Sequence, residues 1–288
     1  MPAAALDAAP IKSIGILAGG GMLPQKLLEA CDQKGIEPFV IGFEGQTDPM
    51  VIQGRSHLWT RLGAAGHIIK TLKSHGISDL VFIGSIRHPT IAELRPDLKA
   101  AEFFARASWK VIGGDNGIGE ALRDFLGKEG FRIHGIQSIA QNLLAPEGAI
   151  GSVQPENRDW QDIEKGIEIS QRLGALDVGQ AVIIQEGLVL AVEGVEGTDK
   201  LMERTKALMR KGRGGILVKT CKPGQYRDFD LPTVGPQTII NAAACGLAGV
   251  AIHAGHSLLV SPEEVAQIAD KHKMFVIGIA VKTDDQGL

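Results

Sequence analysis

Short apolar runs alternate with stretches of helical spacing from one end of this chain to the other, and that alternation restricts it to α/β folds. Residues 11–18 form an apolar run that enters Gly19-Gly20-Gly21-Met22-Leu23-Pro24 and then a helical stretch from residue 25, which reads as strand, glycine turn, helix. A parallel sheet opens this way. Further strands are expected at 37–43, 79–84 and 131–136, and helices at 65–74, 98–108 and 119–128. Residues 142–158 lose periodicity and gather Pro and Gly, so a linker is expected at 141–158. Beyond it come helices at 160–173, 198–211, 237–245 and 262–272, the last with Ser261 as its N-cap. Strands are expected at 180–185 and 188–193 around Glu186-Gly187, and at 215–221, 249–254 and 274–281. The expected architecture is two α/β domains: a Rossmann-like one with a parallel sheet at 1–140, and one with a mixed sheet and helices at 159–288.

Composition narrows the function classes. The chain has 288 residues, 44% of them hydrophobic and 22% charged, which suits one large or two medium globular domains. With 30 basic against 33 acidic residues the net charge is -3, so no overall cationic field exists to hold a nucleic-acid backbone. Cys31, Cys221 and Cys245 are far apart and without CxxC spacing, which argues against a disulfide framework or a zinc site and for a reducing compartment. No signal peptide is expected from the Ala-rich first ten residues, and no apolar run reaches the ~20 residues of a membrane span. A soluble cytoplasmic protein is the expectation. Aromatics are only 5% while glycines number 37, a balance that fits handling of a small molecule better than aromatic-lined strand binding.

Three regions could carry chemistry. Gly19-Gly20-Gly21 precedes a helix, where backbone N–H groups can meet a phosphate, but it lacks the third glycine of the dinucleotide fingerprint and the Gly-Lys-Ser/Thr of a Walker loop. It reads either as a phosphate contact with Met22 and Leu23 beside it or as a plain tight turn. Arg87 and His88 follow the strand at 79–84, at the edge where parallel sheets bind ligands, and either face phosphate or are simply solvated. Asp115, in Gly113-Gly114-Asp115-Asn116, reads as an N-cap or a ligand.

The densest polar cluster lies in the second half. It comprises Asp177 to Gln180, the stretch Glu193-Gly194-Val195-Glu196-Gly197-Thr198-Asp199, and the loop from Lys219 through Lys222, Gln225, Arg227, Asp228 and Asp230. Hard carboxylate oxygens with neighbouring cations suit Mg²⁺ and a diphosphate. The competing reading makes Thr198 and Asp199 helix caps, leaves Glu193 and Glu196 on a solvated edge, and pairs Asp228 and Asp230 with Arg227. His253 and His256 could form a ligand pair, but no third ligand is evident and a loop role fits better.

The segments ILAGGGMLP, DVGQAVIIQEG, LAVEGVEGTDKLMER and LVKTCKPGQYRDFDLPTVGPQTI, with GSIRHP and GGDN, together resemble the two-domain, metal-dependent UDP-2,3-diacylglucosamine pyrophosphatases of lipid A synthesis. The resemblance covers almost the whole chain. It implies Mg²⁺-dependent hydrolysis of UDP-2,3-diacylglucosamine to UMP and 2,3-diacylglucosamine 1-phosphate in a cleft between the domains, without an organic cofactor. As implied roles, Asp228, Asp230, Lys219, Lys222 and Gln225 carry catalysis, and Asp228, Asp230, Glu193, Glu196 and Asp199 supply metal ligands. Gly19, Gly20, Gly21, Met22, Leu23, Arg87, His88, Asp115, Gln180, Thr198 and Arg227 contact substrate.

One departure stands out: the family pattern has an acid directly after Gly-Gln, whereas Tyr226 follows Gln225 here. Asp230 before Leu231-Pro232 keeps its place, so the carry-over rests most firmly on Gln225 and Asp230. A lipid-linked UDP-sugar is the implied partner. Transient contact with the cytoplasmic face of the inner membrane and a homo-oligomer are compatible with it. Two rivals are a non-catalytic nucleotide-sugar binder and a nicotinamide-dependent oxidoreductase; the latter has the wrong glycine pattern.

Overall fold

The computed structural model describes residues 11–87, 94–106, 115–223 and 231–281, with residues 115 and 116 described in their backbone only. The chain divides into two units, Met1–Ala140 and Gln141–Leu288.

In the first unit, strands β1 (Ser13–Ala18), β2 (Glu37–Phe43), β3 (His57–Thr60), β4 (Asp79–Ile83) and β5 (Arg132–Ile133) form a five-stranded sheet in the order β3-β2-β1-β4-β5. Every pairing in it is parallel. The order reverses between β1 and β4, as in a dinucleotide-binding fold. Helix α1 (Leu23–Lys34) starts with proline in its first turn and stops at Gly35, whose φ of +66° supplies a left-handed C-cap. The remaining helices are α2 (Pro49–Ile52), α3 (Ala65–Ser74), α4 (Leu98–Arg106) and α5 (Asp115–Lys128). Phe39, Ile41 and Phe43 of β2, Ile68, Ile69 and Leu72 of α3, Leu80 of β4 and Phe125 of α5 make one apolar cluster. Close layering depends on small residues: a Cβ on Gly15 would lie 2.7 Å from a Leu80 methyl and 2.9 Å from one of Leu72.

In the second unit β6 (Gly148–Ala149), β7 (Ala181–Gln185), β8 (Leu188–Val192), β9 (Ile216–Lys219), β11 (Gly249–His253) and β13 (Phe275–Ile279) form a six-stranded sheet ordered β6-β13-β11-β9-β7-β8. β9, β11 and β13 run parallel, while β6 and β7 are antiparallel to their neighbours, so the sheet is mixed. At the start of helix α6 (Asn157–Ala175) the Asp159 carboxylate accepts from Glu156 N (2.7 Å). Ile163 of α6 packs on Val182, Ile184, Ile216, Val218 and Phe275 on one face. Helices α7 (Gly197–Thr205), α8 (Pro236–Ala244) and α9 (Pro262–Lys271) cover the other through Leu201, Met202, Ile239, Ala242, Val265 and Ala269. A two-stranded pair, β10 (Thr233–Val234) with β12 (Leu258–Leu259), completes the unit.

Several expectations need correction. Residues 141–158, expected as a linker, hold a short 3-10 turn at Gln141–Leu143 and the edge strand β6, which pairs with β13. Two bonded residues are enough for an edge, and they leave no periodicity to read. β3 was not expected, and neither was the short α2. β5 spans two residues rather than 131–136, because a 3-10 turn takes Ile136–Ser138. The helix expected to reach 211 ends at Thr205 and tightens into a 3-10 turn at Lys206–Leu208. Ser261 does precede α9, but with φ +52° its side chain makes no capping bond. Among the described residues no helix is long and apolar enough to cross a membrane.

Candidate functional site

In the first unit the loops after β1, β2 and β4 are stitched together at the carboxyl edge of the sheet. Gly19 and Gly20 donate their amides to Ile83 O (2.7 Å) and Ser85 O (2.8 Å), and Ser85 N returns a bond to Gly20 O (3.0 Å). Glycine is required by this crossing. A Cβ on Gly19 would sit 2.5 Å from Ser85 O, and Gly84 combines φ +92° with a contact 2.6 Å from Gly20 O. The side-chain amide of Gln46 bonds the Arg87 backbone twice, accepting from N (2.9 Å) and donating to O (3.3 Å). Thr47 Oγ1 accepts from Phe43 N (2.8 Å) and donates to Ala18 O. Two of the three glycine amides are therefore spent within the protein. Gly21 and the half-exposed Met22 lead from these glycines into α1, whose second residue, Pro24, has no amide proton. The Arg87 side chain is exposed; His88 lies outside the described residues, as does the side chain of Asp115. Gln46 and Thr47 escaped the sequence reading, although their position just after a strand marks the ligand edge.

The second unit brings the dense polar cluster to one edge. Because β7 is antiparallel to β9, the start of β7 lies beside the end of β9, with Ala181 opposite Lys219. The end of β8 lies there too, with Val192 opposite Val182, and so does the end of β11, with Ile252 opposite Lys219. Gln180, Glu193, Lys219 and His253 thus share an edge although they are far apart in sequence. Lys219 and Lys222 are each only 8% exposed. Lys219 Nζ donates to Thr233 O (3.4 Å), and Lys222 Nζ pairs with Asp177 (2.7 Å). The rings of His253 and His256 stack 4.2 Å apart.

Three of the five acids expected to bind metal, Glu193, Glu196 and Asp199, have partners within the protein. Glu193, buried, accepts from Gln180 N (3.0 Å) and from Thr198 Oγ1 (2.6 Å), one bond to each carboxylate oxygen. This clamp joins the loops at 176–180 and 193–199, where Gly179 would carry a Cβ only 2.3 Å from Glu193 O. Thr198 is accordingly held by a carboxylate in the first turn of α7. The backbone amide of Glu196 itself, and then Arg204, hold the Glu196 carboxyl below its ordinary range. Asp199 accepts from Asn241 Nδ2 (3.0 Å). Among the described residues no group of three or more His, Cys, Asp or Glu side chains is placed to hold a metal ion. Asp228 and Asp230, with Gln225 and Arg227, lie outside the described residues, between Pro223 and Leu231 in the sequence.

Family models described as the LpxI N-terminal domain and the LpxI C-terminal domain match residues 13–143 and 146–277. A UDP-2,3-diacylglucosamine pyrophosphatase LpxI of Caulobacter vibrioides is 34% identical over 275 residues, covering 93% of this chain and 98% of that one. A 7-cyano-7-deazaguanine synthase of Kineococcus radiotolerans is 24% identical over 193 residues, 62% of this chain and 78% of that one. The biotin carboxylase subunit of pyruvate carboxylase shares 12% identity over 60% of this chain and 35% of that one, at a TM-score of 0.25. That score carries no structural argument. With both halves matched in order and a relative sharing a third of its residues along nearly its whole length, the chain belongs to the LpxI family.

Proposed function

We propose that the chain hydrolyses the diphosphate bond of UDP-2,3-diacylglucosamine, releasing UMP and 2,3-diacylglucosamine 1-phosphate for lipid A synthesis. The observation that carries this reading is the match of both halves to the LpxI family models, together with a relative named as a UDP-2,3-diacylglucosamine pyrophosphatase. The geometry supports it through two buried lysines at the edge of the second sheet, where a diphosphate would need cations in a poorly hydrated setting. In this reading Lys219 and Lys222 offset the charge that grows on the phosphoryl oxygens as water attacks phosphorus and the phosphate ester leaves. Asp177 holds the Lys222 ammonium in position. The Glu193 clamp fixes the loops around Gln180 and Thr198, so its contribution is positional. The same reading gives Gln225, Arg227, Asp228 and Asp230 a part in the reaction, with Asp228 and Asp230 as the carboxylates that would hold Mg²⁺, which would neutralise diphosphate charge. The two acyl chains of such a substrate bring the enzyme to a bilayer surface at least transiently.

Incubation of the purified chain with UDP-2,3-diacylglucosamine, in Mg²⁺ or in EDTA, tests the reading by UMP release. UMP formed in Mg²⁺ and abolished by EDTA is the expected result; no UMP from folded protein in either condition overturns it. Asp230→Ala is expected to lose turnover while retaining substrate binding, and unchanged turnover would remove Asp230 from the site.

A further inference from the structure

The edge that holds Lys219 also holds a buried polar atom that the fold itself does not use. Ser257 is 0% exposed, and its Oγ has no hydrogen-bond partner among the described residues. A buried hydroxyl without a partner is destabilising, so its retention calls for a reason outside the packing. Its position supplies one. Ser257 immediately precedes β12, where Leu258 pairs with Thr233 and Leu258 N donates to Pro232 O (2.7 Å). Thr233 is the residue whose carbonyl receives Lys219 Nζ, in a bond of 3.4 Å that occupies one of the three ammonium protons. The backbone of Ser257 is tied as well, since its carbonyl accepts from Ala145 N (2.8 Å). A cation with spare protons at the end of β9 and a hydroxyl with a spare proton in the loop after the adjacent β11 are thus linked through the β10–β12 pair, and both are nearly dry. Two donors in one poorly hydrated part of the fold match an anionic oxygen.

We propose that Ser257, together with Lys219, binds a phosphoryl oxygen of the diphosphate substrate, the serine donating its hydroxyl proton to an oxygen whose charge the lysine offsets. This assignment rests on the proposed pyrophosphatase reading, and it adds a binding residue from the loop after β11.

Ser257→Ala removes the hydroxyl and little else. If the hydroxyl serves ligand rather than fold, the melting temperature stays the same or rises, while kcat/KM for UDP-2,3-diacylglucosamine falls roughly 10- to 100-fold, the range for one hydrogen bond to a charged group. Inorganic pyrophosphate, titrated calorimetrically into the full chain, should bind the variant correspondingly more weakly than the parent. Ser257→Cys, of similar size and with a weak donor, should fall between the two. A lowered melting temperature with unchanged kcat/KM and unchanged pyrophosphate affinity would overturn the assignment and make the hydroxyl structural. The two readings fail separately: a parent chain that releases no UMP sinks the pyrophosphatase reading, and an S257A variant that binds pyrophosphate as tightly as the parent sinks this one.

Discussion

At the scale of single residues, the partners of a charged group decide its role. Glu193 carries the residue type that a metal site needs, yet one of its oxygens is spent on Gln180 N and the other on Thr198 Oγ1. Glu193→Gln should lower stability by about 1–3 kcal/mol, because an amide nitrogen would then face a donor. The Mg²⁺ concentration giving half-maximal UMP release should not move; an increase would make Glu193 a ligand after all. Asp79 shows the same logic in the first unit. Burial pushes its carboxyl up, but Arg132 (2.7 and 2.8 Å), His134 (2.7 Å) and Ser78 (3.1 Å) outweigh that and hold it at about 2. A depressed carboxyl contributes stability that is present above the unfolded value of ~3.9 and disappears as pH falls from there towards 2, about 2 kcal/mol in all. Urea unfolding followed between pH 5 and pH 2 should show that loss in the parent chain and a much flatter profile in Asp79→Asn. Neither pairing was visible in the sequence, since Asp79 and Arg132 are 53 positions apart.

At the scale of elements, periodicity carried the reading well where a segment is long enough to repeat. The strand expected at 37–43 and the helix expected at 65–74 match β2 and α3 in both bounds. It overran the two-residue β5 and failed at β6, β10 and β12, strands as short whose cause is a partner brought up from elsewhere. Packing can also reverse what local propensity predicts. Gly166 sits inside α6, where alanine would ordinarily raise helix stability by about 1 kcal/mol. A Cβ there would lie 2.4 Å from Val218 Cγ2, and Val218 is fully buried on β9. Gly166→Ala is therefore expected to destabilise by a net ~1–2 kcal/mol, the cost of overpacking exceeding the gain, as chemical denaturation would show.

At the scale of the whole molecule, each unit has a core of its own, the first centred on Leu72 and its neighbours and the second divided between the two faces of the mixed sheet. Leu72→Ala and Leu201→Ala should each cost roughly 2–5 kcal/mol, since both side chains are fully buried. The two residues share no cluster, so the double variant should lose the sum to within about 0.5 kcal/mol in denaturant unfolding, and a larger departure would reveal coupling. The alternation of strands and helices, the α/β class and the family motifs were all determined by the sequence by itself, because each depends on residues near one another in the chain. That Gln180, Glu193, Lys219 and His253 share an edge, that two glycine amides are used up by the loop after β4, and that Glu193 clamps two loops became visible with the folded chain. Those outcomes depend on strand order and register, which bring together groups that no local pattern connects.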